Sequence, residues 1–105
     1  MTQLSEKIYK LLKQIPKGKI TTYKELGVAL NTKAYRAIGQ ILRVNPNAPI
    51  VPCHRVIASD GSIGGYMGKA IGETIQRKIA LLKKEGVEVK KNKIVDFEKV
   101  LYRFS

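Results

Sequence analysis

The sequence predicts a single small domain, mainly α with short β elements, built around a helix-turn-helix. Three observations predict it. Apolar residues recur at helical spacing in several segments, a short polar turn separates two of those segments, and proline- and glycine-rich stretches break the remainder into short strands and turns. At 105 residues the chain has the length of one domain and buries a modest core without disulfides or a structural metal.

Leu4, Ile8, Leu11, Leu12 and Ile15, with Ser5, Lys7, Lys10 and Lys13 between them, mark the first amphipathic helix, which Pro16 and Gly18 end. "GKITTYKEL" then leads a β-prone stretch into Thr22, with Glu25 three residues on. That is a capping-box spacing, and it starts a second helix reaching about Leu30. Asn31, Thr32 and Lys33 form a turn, and Thr32 or Lys33 begins the next helix, Ala34 to Arg43. Two short helices joined this tightly suggest a helix-turn-helix, a unit also common in proteins that never touch DNA.

After Asn45, "NPNAPIVPC" excludes a helix and favours extended or turn backbone. "HRVIASDGSIGGYMGKAIG" predicts a short strand, a turn at Asp60-Gly61 and a loop with Gly64, Gly65 and Gly68 around Tyr66, where backbone can approach a ligand closely. Ile71, Ile75, Ile79 and Leu82 mark another helix, closed by Lys83, Lys84 and Gly86, with Glu85 at its end. "VEVKKNKIVDFEKVLYRF" reads as a hairpin turning at Lys91-Asn92, followed by a short end segment.

Twenty Lys and Arg against eight Asp and Glu leave a formal charge of +12. So strong a positive field on a small surface points to a polyanionic partner, nucleic acid first. One cysteine forms no internal disulfide. "MTQLSEKIYKLLKQIPKGK" does not read as a signal peptide, and no apolar run approaches the roughly 20 residues that span a bilayer. These features lead us to expect a protein of the reducing cytoplasm, away from membranes.

The only cysteine and the only histidine stand side by side, at Cys53 and His54. A free thiol titrates near 8.5, so a nucleophilic sulfur needs a base or a cation beside it. His54 is the candidate base, Arg55 adds positive potential, and a carboxylate elsewhere is needed to orient the imidazole. Neighbouring residues of a regular strand point to opposite faces. Either the backbone turns sharply after Pro52, then, or a water bridges sulfur and ring. A zinc site is disfavoured, because no C-x-x-C or H-x-x-x-H spacing accompanies the pair.

"NPNAPIVPCHRVIASDGSIGGYMG", with "TTYKEL" and "KAYRAIGQILRVNP" upstream, resembles the O6-alkylguanine-DNA alkyltransferase family over about residues 2 to 86. The resemblance implies a winged helix-turn-helix-like alkyltransferase C-terminal domain without the N-terminal domain most members carry. It also implies a monomeric protein without cofactor or metal. Its partner would be double-stranded DNA containing O6-alkylguanine, with the damaged base flipped out and its alkyl group moved irreversibly onto a cysteine.

On that resemblance Cys53 is the acceptor, His54 the base acting through a water, and Glu85 the acid that polarises it. Tyr23 assists the departing base, and Arg36 is a finger that fills the vacated stack. Asn45 ties the helix-turn-helix to the active-site turn, Val56 and Tyr66 are pocket positions, and Ser59 and Arg43 belong to the DNA-contacting set. Two departures bear on which alkyl groups fit. Met67 stands where many members have a small or hydroxylic residue, and Ala48 where some have proline. Alkyltransferase-like proteins, which bind the lesion and pass it to excision repair, carry another residue in place of the cysteine. Cys53 argues against that alternative. A helix-turn-helix regulator leaves the Pro-Cys-His-Arg-Val segment and the glycine loop unexplained, and for a cysteine hydrolase a shallow strand-turn site gives no evident acyl pocket.

Overall fold

The computed structural model describes residues 3–46, 50–64 and 72–104. The expectations placed on Ala48, Gly65, Tyr66, Met67, Gly68 and Ile71 lie outside these described residues. Helix α1, Gln3–Gln14, buries Ser5, Ile8, Tyr9 and Leu12 and leaves its lysines in solvent. This is the stripe that its spacing predicts. Gly18, at φ +90°, then turns the chain so that Ile20 enters β1, Thr21–Thr22.

Thr22 also caps α2, Tyr23–Leu30, its hydroxyl accepting from the Glu25 amide at 3.1 Å. Asn31 closes that helix in the left-handed region, at φ 54°, its N–H donating to the carbonyls of Gly27 and Val28. Helix α3 follows as Tyr35–Arg43, with Ala34 at its N-cap and no side-chain capping bond. The expected start at Thr32 or Lys33 is therefore corrected. Thr32 Oγ1 accepts instead from the Ala34 amide at 3.1 Å, completing the turn rather than the helix. Gly27 makes this close pairing possible, since a Cβ there would stand 2.6 Å from Tyr35 Cε1 and 2.8 Å from the Thr32 carbonyl.

The expected strand beginning at His54 is also corrected. Residues Cys53–Arg55 form a 3₁₀ turn, and only Val56–Ile57 are extended, as β2. The reason is local. The Cys53 amide bonds back to Val51 and the Arg55 amide to Pro52, which coils the backbone before any strand can start. Strand β2 pairs in parallel with β1, Thr21 opposite Val56 and Thr22 opposite Ile57. Helix α4, Glu73–Lys84, packs against the 3₁₀ turn.

Strands β3, Val89–Lys90, and β4, Lys93–Ile94, form the expected hairpin, with Lys91 and Asn92 both at positive φ. The short helix α5, Phe97–Val100, then returns the chain to β1. The Ile20 amide donates to Val100 O at 2.9 Å, and the Tyr102 amide to Ile20 O at 2.7 Å.

Two apolar clusters result. One joins α1, α2 and α3 through Ile8, Leu12, Leu26 and Ile38 and includes Val51, Cys53 and Val56. The other joins Ile20, Ile57, Ile63, Leu82, Val87 and Ile94. Each fully buried Leu or Ile contributes about 1.5–3 kcal/mol, so the turn carrying Cys53 is fastened to the larger cluster rather than suspended in a loop.

Candidate active site and nucleic-acid face

The 3₁₀ turn resolves the geometric objection to a Cys53–His54 site, because it takes both residues out of strand alternation and buries both. Asn45 holds the turn from behind. It lies just after α3, is itself buried, and donates from Nδ2 to the Val51 carbonyl at 2.7 Å. One side chain thus links the helix-turn-helix to the cysteine.

His54 Nε2 stands 3.1 Å from Glu85 Oε2. A carboxylate only accepts, so Nε2 carries the proton and Nδ1 keeps its lone pair. Nδ1 is buried and has no hydrogen-bond partner among the described residues. It is a base with nothing else to do. Burial pushes the imidazole below its ordinary value, against the opposing pull of Glu85, which keeps it neutral near pH 7.

Glu85 is placed by the end of α4, where it occupies the C-cap. Burial raises its carboxyl, but the hydrogen bonds of Arg55 and His54 outweigh that and hold it below the usual range. Arg55 grips it with a two-pronged fork, Nε to Oε1 at 2.8 Å and Nη2 to Oε2 at 2.7 Å, while Nη1 donates to Ile15 O at 2.8 Å. The positive potential expected from Arg55 at the sulfur is therefore corrected, since its charge is committed to Glu85.

That potential comes from Lys78, which sequence reasoning missed. Lys78 is 1% exposed, and its ammonium donates to the Val56 carbonyl at 2.9 Å and the Ile63 carbonyl at 2.5 Å. Burial lowers it to about 8, with the Cys53 charge pulling the other way. At Cys53 burial pushes the thiol up, while a hydrogen bond from Asn45 and the charge of Lys78 draw it back. A signal was present. Lys78 lies three residues after Ile75 and four before Leu82, on the apolar face of α4.

Tyr23, in the first turn of α2, is half-buried. Burial raises its hydroxyl, and the Cys53 charge adds to the rise, so the phenol stays protonated within electrostatic range of the sulfur. Tyr23, Tyr35, Arg36, Gly39 and Ser59 line a cavity of about 520 Å³ between α2, α3 and the turn after β2. Ser59 is held there by the Lys24 amide, which donates to its hydroxyl at 3.3 Å. Val56 is buried, and its carbonyl is one of the two that Lys78 holds. Arg43 is exposed in the last turn of α3 and is not one of the residues lining that cavity.

The fold thus gathers Cys53, His54, Glu85, Asn45 and Lys78 around one turn, and Tyr23, which feels the Cys53 charge, lines the cavity together with Arg36 and Ser59. Such an arrangement can generate a thiolate and deliver it to an electrophile entering from the helix-turn-helix side.

The family model for the DNA-binding domain of 6-O-methylguanine DNA methyltransferase matches residues 3–87. A bifunctional methyltransferase/endonuclease of Picrophilus torridus is 44% identical over 99 residues, 93% of this chain and 30% of that protein. The crystal structure of O6-methylguanine-DNA methyltransferase from Pyrococcus kodakaraensis strain KOD1 is similar with a TM-score of 0.71 at 42% identity, over 83% of this chain and 48% of the other. S. pombe Atl1, solved with damaged DNA containing O6-carboxymethylguanine, is similar end to end. Its TM-score is 0.83 at 28% identity, over 98% of this chain and 97% of Atl1. The chain therefore spans less than half the length of the first two proteins and nearly the whole of the third.

Proposed function

Because this chain belongs to the 6-O-methylguanine DNA methyltransferase family through its DNA-binding domain, we propose that it repairs DNA by taking the alkyl group of O6-alkylguanine onto Cys53. The observation that carries this reading is the line of groups from Glu85 through His54 to a buried cysteine flanked by Asn45 and Lys78. The helix-turn-helix holds the duplex, and the damaged guanine leaves the stack for the cavity beside Tyr23 and Arg36. His54 Nδ1 takes the thiol proton through a water, and Lys78 and Asn45 stabilise the thiolate that remains.

The sulfur attacks the alkyl carbon in line. An S–C bond forms as the C–O6 bond breaks, and the electron pair goes to the guanine, which receives a proton with the help of the Tyr23 hydroxyl. Arg36, exposed on the first turn of α3, fills the gap in the stack. The thioether does not revert, so each molecule acts once.

A second reading is favoured by the end-to-end similarity to Atl1: recognition of the lesion without transfer. Intact-protein mass spectrometry after mixing with a duplex containing O6-methylguanine separates the two. Transfer adds one CH₂ on the peptide carrying Cys53, absent from C53A. Tight lesion binding with no added mass supports recognition alone, and no lesion preference removes both.

A further inference from the structure

The hairpin beyond residue 87 breaks two local rules at one place. Lys90 and Lys93 stand directly opposite each other in the antiparallel pair, where like charges destabilise the sheet. Lys91 occupies the first corner of the turn at φ 49°, a position that favours Asn, Asp or Gly. All three lysines are exposed, and none joins an ion pair among the described residues. Among the described residues only Asp60, which feels the Lys93 charge, offsets this clustering. Local rules fail together where a partner supplies the compensation.

One turn of the chain joins the cluster to the cavity beside Tyr23. Ser59 lines that cavity and is fixed to the first turn of α2. One turn further on, Ser62 bridges to Lys93, and the Ile94 amide donates to Gly61 O at 3.0 Å, so β4 runs along this turn. Ser62, Lys93 and Lys90 therefore form a row across neighbouring strands. Two acids border the row. Asp60 accepts from the Ser62 amide at 2.9 Å, and its carboxylate, held low first by hydrogen bonds from Ser62, also feels the Lys93 charge; Glu88 is exposed just before β3. At two strand spacings, about 10 Å, the row is long enough to meet two neighbouring phosphates of one DNA strand.

We infer that Lys90, Lys91 and Lys93 form an auxiliary phosphate-binding site, extending the duplex-binding face past the helix-turn-helix onto the hairpin. The inference rests on the reading that the chain binds duplex DNA. The phosphate backbone lies along the row and supplies the negative charge that the Lys90–Lys93 pair lacks.

The test compares K90Q/K93Q with K83Q/K84Q, which removes the same charge from the exposed end of α4. Affinity for an unmodified duplex is measured across a salt series, and thermal unfolding is followed for both. The log–log salt slope of K90Q/K93Q should fall by about 1.8, at about 0.9 per lost phosphate contact, with its melting temperature at or above that of the parent. K83Q/K84Q should retain most of the slope. An unchanged slope in K90Q/K93Q, or equal losses in the two variants, would overturn the site. Failure of the parent protein to take up an alkyl group would sink transfer without touching this measurement.

Discussion

His54 and Glu85, 31 residues apart in the chain, meet through Nε2 and Oε2 at 3.1 Å, and the same carboxylate oxygen accepts from Arg55 Nη2 at 2.7 Å. Glu85 therefore sets the tautomer of His54 while Arg55 sets Glu85. Glu85→Gln should slow alkyl transfer by about 10²-fold, within the range of a general base deprived of its orienting group, and leave duplex affinity nearly intact. Its pH profile gives a second reading. Glu85 raises the imidazole value that burial depresses, so the acid limb of the rate should move to lower pH in the variant. An unchanged rate and an unmoved limb would remove Glu85 from the mechanism.

Lys78 makes stability depend on alkaline pH. The unfolded chain keeps this proton up to its ordinary 10.5, whereas the folded chain releases it at about 8. Between those values the unfolded state binds more protons, so this group makes stability rise with pH. The parent protein should gain on K78M as pH increases from 8 towards 10, by up to about 3 kcal/mol. Making the comparison in a C53A background removes the thiol, whose titration is coupled to that of the ammonium. Urea unfolding at a series of pH values checks it, and a difference independent of pH would place the ammonium elsewhere.

Arg36 is exposed and reaches into the same cavity as Tyr23. Arg36→Ala should weaken extrusion of the base more than it weakens total duplex binding. Fluorescence from a stacking-sensitive base analogue at the target position, set beside the dissociation constant, measures both. Equal losses would make Arg36 a phosphate contact rather than a finger.

Gly39 is a glycine in the middle of α3 whose added Cβ would meet nothing within 4 Å. Gly39→Ala should stabilise the fold by about 0.5–1 kcal/mol through helix propensity. Duplex binding should nevertheless weaken, because Gly39 lines the cavity between Tyr23 and Arg36 where the DNA must approach. Thermal unfolding and binding measured on one variant should thus move in opposite directions.

The residues whose roles are set by local pattern were legible in advance. Leu4, Ile8 and Leu12 announce their helix by spacing, Thr22 its cap, and Lys91-Asn92 its turn. The pairing of Cys53 with His54 stood out because each is the only one of its kind. What stayed hidden depends on contacts between distant segments. Nothing near Arg55 says that its guanidinium is committed to a carboxylate 30 residues on. Lys78 showed only its place on the apolar face of α4, since a lysine's burial is decided by the carbonyls that receive it, here those of Val56 and Ile63. The 3₁₀ turn at Cys53–Arg55 hid behind a β-prone Val56–Ile57.

The return of the chain to β1 also dictates when the site can exist. Thr21 Oγ1, on β1, donates to Tyr102 O at 3.0 Å, across 81 residues, and the Ile20 backbone is gripped on both sides by Val100 and Tyr102. During synthesis at roughly 5–20 residues per second, the strand leading into Tyr23 waits on the order of 4–16 s for those partners to leave the ribosome. Through that interval the nascent Cys53 lacks its finished enclosure, and a chain halted before residue 102 would carry the cysteine without the scaffold that aims it.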